Sequence, residues 1–237
     1  MINQDQLRPE DIWYIVGYIV TDGNLSKDGR HINITSKDRQ HLFDIQKRLG
    51  IKSKIGWKAR GGSKDKIYSQ IQFSDAHFYR YLLQLGIHPR KSLTLKEISI
   101  EKAYFLDFLR GVIDGDGNIH TWIHPTNGHR QWALRIVSAS PYFASWLKSE
   151  IEIHFDVRGR QYSYKHSGKI NFINVLKFGK LATKVILQKT YYDGSFALRR
   201  KMLSVSRCLQ DPNKMINYAN VISPGAVIGS QNRLKID

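Results

Sequence analysis

The chain has 237 residues and a formal net charge of +17, from 37 Lys and Arg against 20 Asp and Glu. That length holds one large domain or two small ones with a real core. A hydrophobic content of 41% with 11% aromatics excludes a disordered chain. The charge fits a polyanionic partner, and the absence of a basic amphipathic helix favours nucleic acid over a membrane surface. No apolar run approaches the roughly 18 residues that span a bilayer. Met1–Pro9 is polar and carries Asp5, unlike a signal or transit peptide. Cys208 is the only cysteine, which excludes an intrachain disulfide and a Cys-rich zinc site and fits a reducing, intracellular setting. It reads as a small buried residue in a terminal helix.

The first predicted helix starts at Pro9, with Glu10 and Asp11 at the positive end of its dipole, and stops at Asp22-Gly23. A hairpin follows with a two-residue turn expected at Asp28-Gly29, and its return strand His31-Ile32-Asn33-Ile34-Thr35 alternates. A helix over 38–49 carries Leu42, Phe43, Ile45 and Leu49 at helical spacing and ends at Gly50. In the hairpin 52–73, Lys52, Lys54, Lys58 and Arg60 fall on one face and Ile55 and Trp57 on the other. Its return strand sets Tyr68, Gln70 and Gln72 opposite Ile67, Ile71 and Phe73. A helix near 75–85 closes an α-β-β-α-β-β-α unit. The order then recurs: helix 101–115, strands 117–124 and 131–138 around an Asn127-Gly128 turn, helix 141–153, strands near 157–165 and 169–176, and helices near 179–189 and 196–209. Side chains on both faces of 157–176 are polar, so alternation leaves its register open.

The recurrence is sharpest in one motif. Ile15-Val16-Gly17-Tyr18-Ile19-Val20-Thr21-Asp22-Gly23 and Leu109-Arg110-Gly111-Val112-Ile113-Asp114-Gly115-Asp116-Gly117 both run an apolar helix into Asp-Gly. A mid-helix Gly costs about 1 kcal/mol against Ala, and an Asp in the last turn faces the unfavourable end of the dipole. Two such copies imply helices that touch through their glycines and hold two carboxylates side by side, whose repulsion a divalent cation relieves.

Both copies resemble the signature of the LAGLIDADG homing endonucleases in their single-chain, two-repeat form. The second copy follows the consensus at both acidic positions. The first has Tyr18 for a small aliphatic residue and Val20 for the earlier acid. With the duplicated order, the resemblance covers roughly residues 9 to 205. Residues 211–237 lose periodicity and contain Pro212, Pro224 and several glycines, and they read as a C-terminal tail or arm. The resemblance implies an α+β fold of two pseudo-symmetric repeats (1–96 and 97–210), with antiparallel sheets forming a DNA-binding saddle and helices behind. It also implies an intracellular protein of a prokaryotic cytoplasm or of an organelle with its own genome.

The resemblance makes Asp22 and Asp116 the ligands of Mg²⁺ at two fused active sites, with the carbonyls of Thr21 and Gly115 as further oxygen ligands. Mn²⁺ should substitute, and Ca²⁺ should bind without supporting cleavage. Positions 114 and 116 point about 200° apart on a helix, so Asp114 is expected to hydrogen-bond within the helix interface instead. Basic runs end the repeats at Pro89-Arg90-Lys91-Ser92 and Arg199-Arg200-Lys201-Met202. In the family a lysine here reaches the scissile phosphate, which implies Lys91 and either Lys201 or Arg200.

A basic, polar strand face backed by an apolar one suits a β-ribbon in a major groove. In the first repeat that face should carry Asn24, Ser26, Asn33, Thr35, Lys54, Lys58, Arg60, Tyr68, Gln70 and Gln72. In the second it should carry Asn118, His120, Trp122, Arg135, Arg158, Arg160, Tyr162 and Asn171. His31, His120, His124 and His129 lack metal-ligand spacing and read as groove-facing side chains. The function implied is a site-specific, metal-dependent, intron-encoded or freestanding DNA endonuclease, monomeric, cutting each strand of a long asymmetric duplex once. The alternatives on this scaffold are a maturase binding its own intron RNA and a catalytically silent DNA-binding regulator. Retention of both acids argues against the regulator.

Overall fold

The computed structural model describes residue 2 and residues 7–60, 63–165 and 170–211; at residues 60 and 63–67 only the backbone is described. The proposed tail beyond Asp211 lies outside these. Helix α1 (Pro9–Asp22) begins on its proline, whose missing N–H is harmless in a first turn. Strands β1 (Gly23–Leu25) and β2 (His31–Ser36) follow, then α2 (Arg39–Arg48), β3 (Ile55–Arg60), β4 (Ser63–Ser74) and α3 (Ala76–Gln84). The order repeats as α4 (Phe105–Asp116), β5 (Gly117–Ile123), β6 (Arg130–Ser138), α5 (Pro141–Phe155), β7 (Gly159–Lys165), β8 (Phe172–Phe178) and α6 (Lys180–Thr190), with α7 (Arg199–Leu209) added. The fold is the expected α+β duplication.

Each repeat forms a four-stranded antiparallel sheet, ordered β1-β2-β4-β3 and β5-β6-β8-β7. Alternation divides each sheet into two faces. Ile32, Ile34, Ile55, Ile71 and Phe73 on the first, and Leu134, Ile136, Leu176 and Phe178 on the second, are buried against helices. Both sets join one apolar core that includes α1 and α4. Residues Asp11–Val20 of α1 are all buried, as a helix at the centre of a core requires. Asp11 pairs with Arg48 at 2.6 Å and ties α1 to α2.

Helices α1 and α4 meet backbone to backbone. A methyl group at Gly17 would overlap the Phe108 carbonyl oxygen, and one at Gly111 would overlap that of Tyr14. The glycines of the motif therefore set the distance between the two repeats. Around the contact lies a polar network. The Tyr14 hydroxyl donates to Asp114 at 2.6 Å and lies 3.0 Å from His41 Nε2. Asp114 also accepts from Tyr191 and from the Leu198 backbone N–H, each at 2.6 Å. Fully buried Arg110 donates to the Thr190 and Phe196 carbonyls and to Asp107, holding the chain between α6 and α7 against α4.

Three expectations need correction. The first hairpin does not close on a two-residue turn: Ser26 N–H bonds the His31 carbonyl across residues 27–30, Asp28 accepts from the N–H groups of Arg30 and His31, and Gly29 takes φ +79°. The second likewise spans 125–128 with Gly128 at φ +67°. Asx-type side-chain bonds stabilise these longer loops in place of a tight turn. Trp57, assigned to the apolar face, is 66% exposed, and its ring is met by the Arg39 guanidinium at 4.5 Å. Strands β7 and β8 begin later than expected, at Gly159 and Phe172.

His41 packs among Tyr14, Tyr18 and Phe196, and burial lowers its pKa from 6.5 to about 4. Between those values the unfolded chain binds the proton and the folded chain does not, so this group's contribution is lost as pH falls from 6.5 towards 4. The full effect is about 3 kcal/mol. Burial raises Asp114 to about 6, which acts with the opposite sign over nearly the same range. The net slope is therefore shallow in the native chain. His41→Gln, compared with it by urea melts, should become relatively more stable on acidification from pH 6.5 to 4. A difference independent of pH would contradict a buried neutral His41.

Candidate active site and nucleic-acid interface

Gly23 and Gly117 turn each motif helix into its first strand, with their N–H groups bonded to the Ile19 and Ile113 carbonyls. This junction leaves Thr21-Asp22 and Gly115-Asp116 at adjoining helix ends. Thr21 packs so closely on Gly115 that a methyl group there would overlap its Oγ1, which donates back to the Tyr18 carbonyl at 2.9 Å. Asp22, Asp116, Thr21 and Gly115 all line one groove of about 980 Å³.

Two buried lysines mirror each other beside the carboxylates. Lys91 Nζ donates to the Gly23 carbonyl at 2.5 Å, and Lys201 Nζ donates to the Gly117 carbonyl. Burial lowers both amines to about 8, opposed in each case by the fields of Asp22 and Asp116. For Lys201 the neighbouring Arg200 lowers it further. Arg200 instead lines the groove wall and pairs with Asp38 at 2.8 Å. The pseudo-symmetry thus brings Lys201, rather than Arg200, to the position that matches Lys91.

Among the described residues no group of three or more His, Cys, Asp or Glu could hold a metal. The donor set at the helix ends is two carboxylates and adjacent carbonyls. Such hard oxygen donors, completed by water and phosphate oxygens, fit Mg²⁺, Mn²⁺ or Ca²⁺. The histidines lie elsewhere: His31 is bonded to Asp28, His120 stacks on Trp122 at 5.3 Å, and His124 and His129 flank the second hairpin loop.

The polar face of the first sheet forms the groove beside this site. Asn24, Ser26, Asn33 and Thr35 line it with Lys58, Tyr68, Gln70 and Gln72. Lys54 is exposed just ahead of β3, and the Arg60 side chain lies outside the described residues. Lys37 and Trp57 line the groove as well, although neither was predicted to face nucleic acid. Lys37 follows β2 at the same parity as Thr35, so extending the alternation by one step would have found it.

In the second sheet, pairing fixes the register that alternation left open: Arg160↔Lys177, Tyr162↔Val175 and Tyr164↔Ile173. Asn118, Arg135, Lys177 and Arg160 form one cross-strand row. His120 and Trp122 share that face, with the Lys177 amine 5.8 Å from the Trp122 ring centre. Lys177 was missed; its parity with Asn171 was the available signal. Arg158 precedes β7, two residues after Asp156 with its left-handed backbone (φ +50°), and reaches back to Glu152 of α5 at 3.8 Å instead of joining the row. Asn171 is exposed just ahead of β8.

Two sheets with polar faces, joined through paired glycine helices whose ends carry acids, define a duplicated α+β scaffold. Residues 9–86 match the profile of the LAGLIDADG-like domain, and the chain has the two-repeat LAGLIDADG fold. Its structure is similar to the homing endonuclease I-WcaI bound to its DNA recognition sequence, at 12% identity over 84% of this chain and 87% of that one, with a TM-score of 0.57. It is also similar to mesophilic variants of the homing endonuclease I-DmoI, at 15% identity over 84% and 97%, TM-score 0.54. Full-length DUF199/WhiA from Thermatoga maritima shares 17% identity over 90% of this chain and 66% of that one, TM-score 0.51. At these identities the likeness is one of fold. No curated protein sequence matches the chain, and no helix among the described residues is long and apolar enough to cross a membrane.

Proposed function

We infer that this chain is a site-specific, metal-dependent double-strand DNA endonuclease that works as a monomer. The reading rests on the convergence of Asp22 and Asp116 in one groove, each repeat adding a buried lysine beside them. Asp22 and Asp116, with the carbonyls of Thr21 and Gly115, would hold Mg²⁺ or Mn²⁺. Bound there, the cation supplies an activated water and neutralises charge on the phosphate undergoing hydrolysis. Lys91 and Lys201, lowered to about 8, hold positive charge next to that phosphate and can exchange a proton near neutral pH. The sheet faces bind and orient the duplex. One site per repeat accounts for one cut per strand.

The test is cleavage of duplexes selected from a random library, with Mg²⁺ and with Ca²⁺. Cutting of both strands in Mg²⁺ alone is expected. Binding without cutting would favour the regulator, and splicing activity on the host intron would add the maturase role.

Binding should be strongly salt-dependent, because Lys and Arg side chains displace counterions from phosphates. Each neutralised phosphate adds about −0.9 to the slope of log affinity against log salt. A nearly flat response would count against DNA as partner. Sedimentation should show one protein per duplex on an asymmetric target, and a two-to-one complex on a palindrome would overturn the monomer.

A further inference from the structure

The two sheets present different chemistry at positions that the strand register makes equivalent. The pairs Gly23↔Ile34 and Gly117↔Ile136 open the sheets at the same place in each repeat. The next row of the first sheet is Asn24, Asn33 and Gln72. The corresponding row of the second is Asn118, Arg135, Lys177 and Arg160. A carboxamide row has thus become a cationic one, with Arg135 in place of Asn33 and Lys177 in place of Gln72. The adjoining row changes as well: Thr35 and Gln70 correspond to Val137 and Val175.

Local contacts orient these groups. Asn33 Nδ2 donates to Gln72 Oε1 at 3.4 Å, which aligns the two amides across the strands. Arg135 Nε is buried without a hydrogen-bond partner among the described residues, so part of its hydrogen-bonding capacity is unspent. The Lys177 amine is steadied over the Trp122 ring.

A carboxamide offers a donor beside an acceptor, the complement of adenine N6 and N7. Guanidinium and ammonium offer donors only, the complement of guanine O6 and N7, and an aliphatic side chain suits the thymine methyl group. We propose that the two halves of the target differ in composition accordingly. The half under the first sheet presents adenine to the Asn33–Gln72 row. The half under the second presents guanine to Arg135 and Lys177, with thymine facing Val137, the partly exposed member of its valine pair. This inference rests on the DNA-binding reading above.

The test is binding selection by the full chain from a randomised duplex library in EDTA, followed by sequencing. An enriched site with adenine in one half and guanine in the other is expected. The double variant Arg135→Gln, Lys177→Gln should lower guanine enrichment in its half by about tenfold or more, leaving the adenine half as an internal control of folding. The reciprocal variant Asn33→Arg, Gln72→Lys should bring guanine into the other half. Halves of like composition would overturn the inference. So would guanine enrichment that survives the double variant, or an affinity loss uniform across sequences, which would assign the cations to phosphates. If the native chain enriches no duplex at all, the DNA-binding reading itself fails, a result distinct from enrichment without the split.

Discussion

Asp22→Asn and Asp116→Asn are each expected to block double-strand cutting while leaving DNA affinity unchanged or slightly raised. Both acids line a groove whose other walls are polar or basic, where they repel phosphates and oppose binding in the absence of a cation. Removing either negative charge also relieves an anion in the last turn of a helix, so thermal stability should not fall. Cleavage should fall at least about a hundredfold, as for other charged groups whose contribution is confined to the transition state. The measurements are gel-shift titration in EDTA and strand-resolved cleavage in Mg²⁺. Each single variant reports whether its strand alone is spared; a double variant that still cuts both strands would sink the assignment of the site.

Gly17→Leu or Gly111→Leu should leave little folded protein, and even Gly17→Ala should cost about 3 kcal/mol or more. Overpacking a side-chain core typically costs 1–3 kcal/mol because neighbours rotate away. Here the obstruction is a backbone carbonyl of the opposite helix, which has no rotamer to change. The helices must separate, and the buried faces of both go with them. Gly56→Ala in β3 is the control, because a methyl group there meets nothing within 4 Å. Urea melts should separate Gly17→Ala from Gly56→Ala clearly. A Gly17→Ala midpoint equal to that of Gly56→Ala would refute the close contact.

The motif helices were legible because two local rules coincide there: an apolar run long enough to be a core helix, and an Asp-Gly stop. The first sheet was legible because polar and apolar residues alternate over Ile32-Asn33-Ile34-Thr35 and over Gln70-Ile71-Gln72-Phe73. The second hairpin of the second repeat was not. Its edge strand β7 has exposed residues on both faces, so only the pairing with β8 fixes which side Arg160 and Tyr162 occupy. Loop geometry at Asp28 and Asn127 escaped because a side-chain acceptor bonding two or three residues onward competes with the tight turn that the dipeptide alone suggests. Lys201 could not be separated from Arg200 by sequence, since one residue of slip rotates a helix face by about 100°. The Asp114 network was foreseen as a bond in the helix interface, but its partners Tyr14, Tyr191 and Leu198 come from distant segments that no local pattern connects.

That network has a consequence for how the repeats could be recombined. Aligned by their motifs, Tyr14 of the first repeat corresponds to Phe108 of the second, and Val20 corresponds to Asp114. The bond from Tyr14 to Asp114 therefore joins unlike partners. Two copies of the first repeat would set a buried tyrosine hydroxyl against valine. Two copies of the second would deprive a fully buried carboxylate of its donor from the opposite helix and set it against phenylalanine. Each self-pairing costs a buried polar group one hydrogen bond across the helix interface, leaving Tyr14 only His41 and Asp114 only Tyr191 and the Leu198 N–H, whereas the native pairing satisfies both. The halves are thus chemically committed to each other, and a chimera that transplants either one should retain function only if it carries the tyrosine or the aspartate along with it.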